Sequence, residues 1–156
     1  MTATITPLDS VSEKLGITEP WVEKGGVHWL AIGSLSVRDL AAAMNSFHAR
    51  FITITAYQLP KEEGFRLEYH WDLDGQLLGF SFLLAAKSIG GGKIDSIYDL
   101  CEAVDWIERE IHEEYSLDFS GREYEPLLLR QGDTPGVNLR DAVAANNAVA
   151  ANQEKK

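Results

Sequence analysis

The segment from Phe65 to Leu73 restricts the fold more than any other part of the chain. Its large apolar side chains alternate strictly with polar or charged ones, in the order FRLEYHWDL. This period of two predicts a β-strand with one buried face and one solvated face. The dipeptide Asp74-Gly75 follows and predicts a tight hairpin, so the chain should return in a second strand over 76–86. That strand is apolar at almost every position, which predicts a central place in the sheet with cover on both sides.

Caps, turn residues and periodicity predict the other elements. They are a short helix at 9–16, a strand at 27–33, a helix from Ser36 to about Arg50, a strand at 51–59 and a helix at 103–115. Gly16 is placed to end the first helix, and Ser36 with Asp39 has the spacing of a capping box. The order β-α-β-β-β-α predicts an α+β fold: a small two-layer domain in which helices pack on a mixed β-sheet with one long hairpin.

Composition divides the chain into four parts. We expect an N-terminal helix and lead-in at 1–24, the α+β domain at 25–121, an extended partner-contacting segment at 122–141 and a low-complexity tail at 142–156. The tail contains AVAANN followed by AVAANQ, in which alanine favours helix and asparagine opposes it. Without an apolar stripe, this pattern predicts a disordered tail or a segment that orders on a partner.

Several classes of protein are disfavoured by composition. No apolar run approaches the length of a membrane span, and the N-terminus lacks the pattern of a signal peptide, so a cytosolic location is expected. The single cysteine, Cys101, cannot by itself form a disulfide or hold an iron–sulfur cluster. The net charge of −10 argues against nucleic-acid binding.

Negative charge is concentrated near the end of the domain. Between Glu102 and Glu125 nine acidic residues face only two basic ones, Arg109 and Arg122. Two interpretations stay open: a solvated acidic surface, or a patch that steers a basic partner.

The last predicted helix carries unusual residues on both of its sides. Val104, Ile107, Ile111 and Tyr115 share one side and form a core-facing stripe. The opposite side combines a tryptophan with an arginine, a pairing typical of binding hot spots. We therefore expect a helix sandwiched between its own domain and a partner, with a partner interface formed by Trp106, Glu108, Arg109, Glu110 and Glu113.

The same helix supports a family resemblance. The pattern W-x-E-R-E, followed by an apolar turn and a glycine, resembles the signature of the C-subunit family of the proton-pumping NADH:quinone oxidoreductases (respiratory complex I). The counterparts in energy-converting, membrane-bound nickel–iron hydrogenases share it. The matching residues are Trp106, Glu108, Arg109, Glu110, Tyr115, Leu117, Phe119 and Gly121, with Ser96, Ile97, Asp99, Leu100 and Ala103 upstream. The stretch from Thr134 to Asp141 resembles the exit segment of the hydrogenase relatives and favours that branch.

The resemblance implies a non-catalytic scaffold subunit of the peripheral arm of a membrane-associated redox complex. It implies docking on the large (nickel-site or quinone-site) subunit and an interface with the small iron–sulfur subunit. It also implies that this chain has no cofactor, metal or catalytic residue. The implied location is cytoplasmic, peripheral on the inner face of the cell membrane through partner subunits.

Two other functions remain open from the residues alone. One is an acidic protein-interaction domain unrelated to respiration. The other is a small metal-dependent hydrolase that uses Glu108 and His112, which lie four residues apart and could share one helical face. Neither residue belongs to a known zinc or di-iron motif spacing.

Overall fold

The structure, a computed structural model, describes residues 6–33, 35–59, 64–84 and 93–136. Its elements in chain order are α1 (Pro7–Leu15), β1 (Val22–Lys24), β2 (Val27–Ala31), α2 (Val37–Ser46), β3 (Arg50–Gln58), β4 (Phe65–Leu73), β5 (Gln76–Leu84), β6 (Lys93–Asp95), a 3-10 turn (Glu102–Val104), α3 (Asp105–Tyr115) and β7 (Asp118–Ser120). The predicted α+β class is confirmed. The tail at 142–156 and the end of the exit segment lie outside the described residues.

Five strands form one mixed sheet in the order β1-β2-β5-β4-β3. Strand β2 runs parallel to β5, whereas the other neighbours are antiparallel. Strands β6 and β7 form a separate parallel pair. The helices cover the inner face of the large sheet, because buried residues of all three helices belong to one core with the inward residues of β4.

The predicted hairpin forms as expected. All five apolar residues of β4 are buried, and Leu73 pairs with Gln76 across the turn. Asp74 and Gly75 have φ angles of 52° and 83°, as a type I′ turn requires. Strand β5 is central, as predicted, but the expectation of cover on both sides is wrong. Leu77 and Leu83 are 42% and 55% exposed, because the helices pack on the inner face alone.

Local signals explain most of the helix boundaries. Gly16 ends α1 in the left-handed conformation, and Ser36 caps α2 by accepting the Arg38 N–H. A full capping box forms instead at α1, where Thr6 and Asp9 bond each other. Helix α2 is shorter than predicted. The chain leaves it at Ser46, and His48 then adopts a positive φ of 56°.

The core between the sheet and the helices is rich in aromatic rings. Trp71, 1% exposed, meets Phe51 and Phe80 edge-on at 5.5 and 5.8 Å. Phe65, at the start of β4, meets Tyr115 of α3 edge-on at 5.6 Å. This contact, together with the buried Val104 and Ile111, fixes α3 on the sheet and so positions the residues of the candidate site.

On the outer face of the sheet, Trp29 lies flat across β5. It pairs with Gly79 in the β2–β5 register, and a Cβ atom at Gly79 would be 2.6 Å from Cε3 of the Trp29 ring. The glycine is therefore required by close packing. In the absence of that ring, a side chain at this position would favour the strand.

We expect Gly79→Ala to cost about 1–3 kcal/mol of unfolding free energy, because the Trp29 ring must move away from the new methyl group. In a Trp29→Ala background the same substitution should cost nothing or stabilise the protein. Chemical denaturation of the four variants measures this coupling. Equal losses in both backgrounds would show that the ring does not rest on Gly79.

Candidate functional site

Helix α3 is the centre of the candidate site, and its most buried acid lies on the core side. Glu108 is 0% exposed. Its carboxylate accepts the Ser96 hydroxyl at 2.6 Å and the Ile97 N–H at 3.0 Å. Both donors follow β6, so one carboxylate joins α3 to the β6–β7 unit.

The charge of Glu108 is balanced by Arg122, just after β7. Arg122 Nη1 donates to Glu108 Oε2 at 3.0 Å, and Nη2 donates to Asp105. The guanidinium also lies over the rings of Tyr98 and Tyr124, at 5.0 and 5.5 Å from their centroids. Only 7% of the Arg122 side chain is exposed. Such a buried pair is strongly destabilising when one partner is lost.

Residues 122–136, which we call the strap, lie along α3 without forming a helix or strand. The Arg109 side chain holds the backbone of the strap. Its Nε donates to the Glu125 carbonyl at 3.0 Å, and its Nη2 donates to the Pro126 carbonyl at 2.9 Å. Its Nη1 donates to Asp105 at 3.2 Å. Burial opposes ionisation of Asp105, but hydrogen bonds from Arg122 and Arg109 outweigh it and lower the pKa of this carboxyl.

Glu113 holds the next part of the strap. Its carboxylate accepts the backbone N–H groups of Leu127, Leu128 and Leu129 at 2.6, 2.7 and 3.1 Å. Burial alone would raise the pKa of Glu113. The three N–H donors and the Arg109 charge have the larger effect, so the pKa lies below its ordinary value. The Glu113 carbonyl also accepts the Gly136 N–H at 2.7 Å.

His112 completes the contact between α3 and the strap. Its ring stacks on Tyr124 at 3.9 Å, and its Nδ1 lies 3.0 Å from the Leu117 carbonyl. The Glu108 carboxylate is occupied elsewhere, by Ser96 and Arg122. Among the residues that the structure describes, no group of three or more His, Cys, Asp or Glu is placed to hold a metal ion. The geometry therefore offers no support for a hydrolase built on Glu108 and His112.

Comparison with known families identifies the chain. Residues 33–148 match the model of the family described as "Respiratory-chain NADH dehydrogenase, 30 Kd subunit". The chain belongs to this family. It is the same family that the Trp106–Gly121 pattern resembles, so the identification made from that pattern is confirmed.

Two solved structures share the fold. A chain of the membrane-bound sulfane sulfur reductase, an archaeal respiratory membrane complex, is 19% identical with a TM-score of 0.67, over 83% of this chain and 77% of that one. A trypsin-resistant fragment of Nqo5 is 17% identical with a TM-score of 0.57, over 76% of this chain and 96% of that one. At such identities the likeness is one of fold. No curated protein matches the chain significantly.

In this member of the 30 kDa subunit family, most of the predicted interface residues have contacts within the chain. Glu108 and Glu113 are buried at 0% and 5% exposure, and the Arg109 side chain is 15% exposed. All three hold the chain's own segments, so the sequence-based placement on an outward helix face is corrected for them. Trp106 is 72% exposed, and Glu110 is half-buried. The prediction of a partner surface on α3 therefore rests on these two residues.

One signal in the sequence could have revealed the buried carboxylate. Val104, Glu108, Ile111 and Tyr115 are spaced by four, three and four residues, which is the core stripe of a helix. Glu108 occupies a core position in that stripe. Arg122 carries no comparable signal, because it lies outside any periodic element.

Within the described part of the chain, no helix is long and apolar enough to cross a membrane.

We expect Glu113→Gln to cost about 1–3 kcal/mol of unfolding free energy, because the amide NH₂ replaces an acceptor with a donor that opposes the strap N–H groups. Glu110→Gln is the matched control and should change stability by less than about 0.5 kcal/mol. Amide hydrogen exchange should also become faster at Leu127–Leu129 in the Glu113 variant alone.

The effect of Glu113 should depend on pH in a defined direction. Because the folded-state pKa is lowered, the stabilisation is complete above the unfolded-state pKa of about 4.3 and is lost as pH falls through the folded-state value. The stability difference between wild type and Glu113→Gln should thus be constant near neutrality and shrink in acid. If the stability difference persisted unchanged in acid, it would contradict the conclusion that Glu113 binds the strap as an ionised carboxylate.

Proposed function

We propose that the chain is a non-catalytic scaffold subunit of the peripheral arm of a membrane-associated redox complex, where it docks on the catalytic large subunit. Membership of the 30 kDa subunit family supports a place in such a complex. Glu108 and Glu113, the buried carboxylates of α3, bind other segments of the same chain. These contacts support a structural role for both residues.

The docking proposal rests on the exposure of the Trp106 side chain. It is 72% exposed on a helix whose neighbouring residues are fixed to the core and to the strap. Exposing a tryptophan to water forgoes the free energy of burying a large apolar surface. Tryptophan is also enriched among the residues that dominate binding energy at interfaces. A rigid helix that presents this ring is well suited to insertion into a partner.

Further partners follow from the same proposal. The small iron–sulfur subunit of the complex is a second neighbour, and the membrane is reached only indirectly, through the complex on its cytoplasmic face. The complex is of the energy-converting hydrogenase type or of the NADH:quinone oxidoreductase type, and the stretch that begins at Thr134-Pro135-Gly136 and continues to Asp141 favours the first. The solved structures with this fold include a chain of a membrane-bound sulfane sulfur reductase, an archaeal respiratory membrane complex, which supports a place in a complex of that kind.

The test is recovery of the complex with a tagged, full-length chain from membranes of the native host. Wild type should co-purify an identified large subunit. Trp106→Ala should lower its recovery about thirtyfold, the effect of losing a hot-spot residue of about 2 kcal/mol, without lowering the melting temperature. Tyr57→Ala on the outer sheet face is the control and should recover the large subunit as well as wild type does.

Two outcomes would contradict the proposal. One is a wild-type chain that co-purifies with no large redox subunit. The other is a Trp106→Ala chain that recovers the large subunit as well as the Tyr57→Ala chain does, which would remove Trp106 from the interface.

A further inference from the structure

The strap presents an exposed leucine from a backbone that is held in place. Leu128 is 67% exposed, yet its N–H donates to Glu113 at 2.7 Å. The residues on either side, Leu127 and Leu129, are half-buried and donate to the same carboxylate. The backbone is therefore fixed while the Leu128 side chain points to solvent.

This arrangement lowers the entropy cost of binding. A flexible segment that orders on a partner loses about 1–2 kcal/mol of backbone entropy per residue. Here the bonds from Arg109 and Glu113 to residues 125–129 go to backbone groups and leave the side chains of these residues unused. Residues 125–129 are thus ordered by the chain itself, and the exposed side chain of Leu128 remains available for recognition.

The exposed charge of the strap is negative overall, because its exposed arginine, Arg130, is paired with Asp133 at 3.2 Å. The two arginines of the 102–125 region, Arg109 and Arg122, are both engaged by carboxylates or carbonyls within the fold. By contrast, Glu123 and Glu125 at the start of the strap are exposed. The surface that surrounds the strap therefore attracts a positively charged partner.

We propose that the strap is a preformed docking element, with Leu128 as an apolar anchor on a segment of net negative charge. It fits a partner surface that has an apolar socket bordered by lysine and arginine. The inference rests on the proposed function, in which that partner is the large subunit. Trp106 is the second anchor. It lies seven residues before Glu113, or about 10 Å along α3, so both anchors fit within one interface of standard size.

The experiment uses the tagged, full-length chain and the recovered large subunit as the readout. Leu128→Ala should reduce recovery about tenfold or more, whereas Leu83→Ala, an exposed leucine on the outer sheet face, should not. Glu125→Lys should also reduce recovery, whereas Glu23→Lys on β1 should not. Wild-type recovery should fall as salt is raised, and the Glu125→Lys chain should show a weaker salt dependence. Melting temperatures should stay at the wild-type value in Leu128→Ala.

The outcomes separate this inference from the proposed function. Wild type that recovers no large subunit overturns the proposed function and the inference together. Recovery of the large subunit by wild type, with Leu128→Ala and Leu83→Ala indistinguishable, overturns the strap as a docking element and leaves the Trp106 interface standing. A lowered melting temperature for Leu128→Ala also overturns the inference, because Leu128 would then stabilise the fold itself.

Discussion

The buried pair of Glu108 and Arg122 is the interaction on which the rest of the site depends. A carboxylate at 0% exposure requires a counter-charge and hydrogen-bond donors. Glu108 accepts a hydrogen bond from Ser96, in the turn after β6, and is paired with Arg122, the first residue of the strap. One side chain of α3 thereby connects three segments that are distant in sequence. This connection positions the start of the strap, and Arg109 and Glu113 then hold its next residues along the helix.

The same interactions divide the acidic region into internal and external charge. Asp105, Glu108 and Glu113 are compensated by Arg109, Arg122 and backbone N–H groups. Carboxylates on the outer side, such as Glu123 and Glu125, then set the sign of the surface. Folding of α3 with the strap therefore creates the surface that we propose as a docking site. We consider this coupling the reason that a small domain concentrates so many acids in one helix.

The sequence predicts the regular elements well and the contacts of the site poorly. The β4–β5 hairpin follows from alternation and from Asp74-Gly75, because both signals are local. Strand β1 is not predicted, since three residues carry no period. The binding of Glu113 to Leu127–Leu129 could not be predicted, because no sequence pattern links a helix to an irregular segment that packs on it. A helical wheel of α3 suggests that its charges face outward, whereas Glu108 occupies a core position.

A double-mutant cycle on the buried pair tests the account most directly. Arg122→Met keeps much of the side-chain volume but leaves Glu108 uncompensated, so it should cost about 3–5 kcal/mol of unfolding free energy. The double variant Arg122→Met/Glu108→Gln should have a free energy of unfolding at least about 1 kcal/mol higher than that of Arg122→Met alone. Asp105 keeps its contact with Arg109 in both variants. Arg130→Met, at an arginine that is 91% exposed, should leave stability unchanged. Additive losses, or an Arg122→Met chain as stable as Arg130→Met, would contradict the claim that this buried pair joins α3 to the start of the strap.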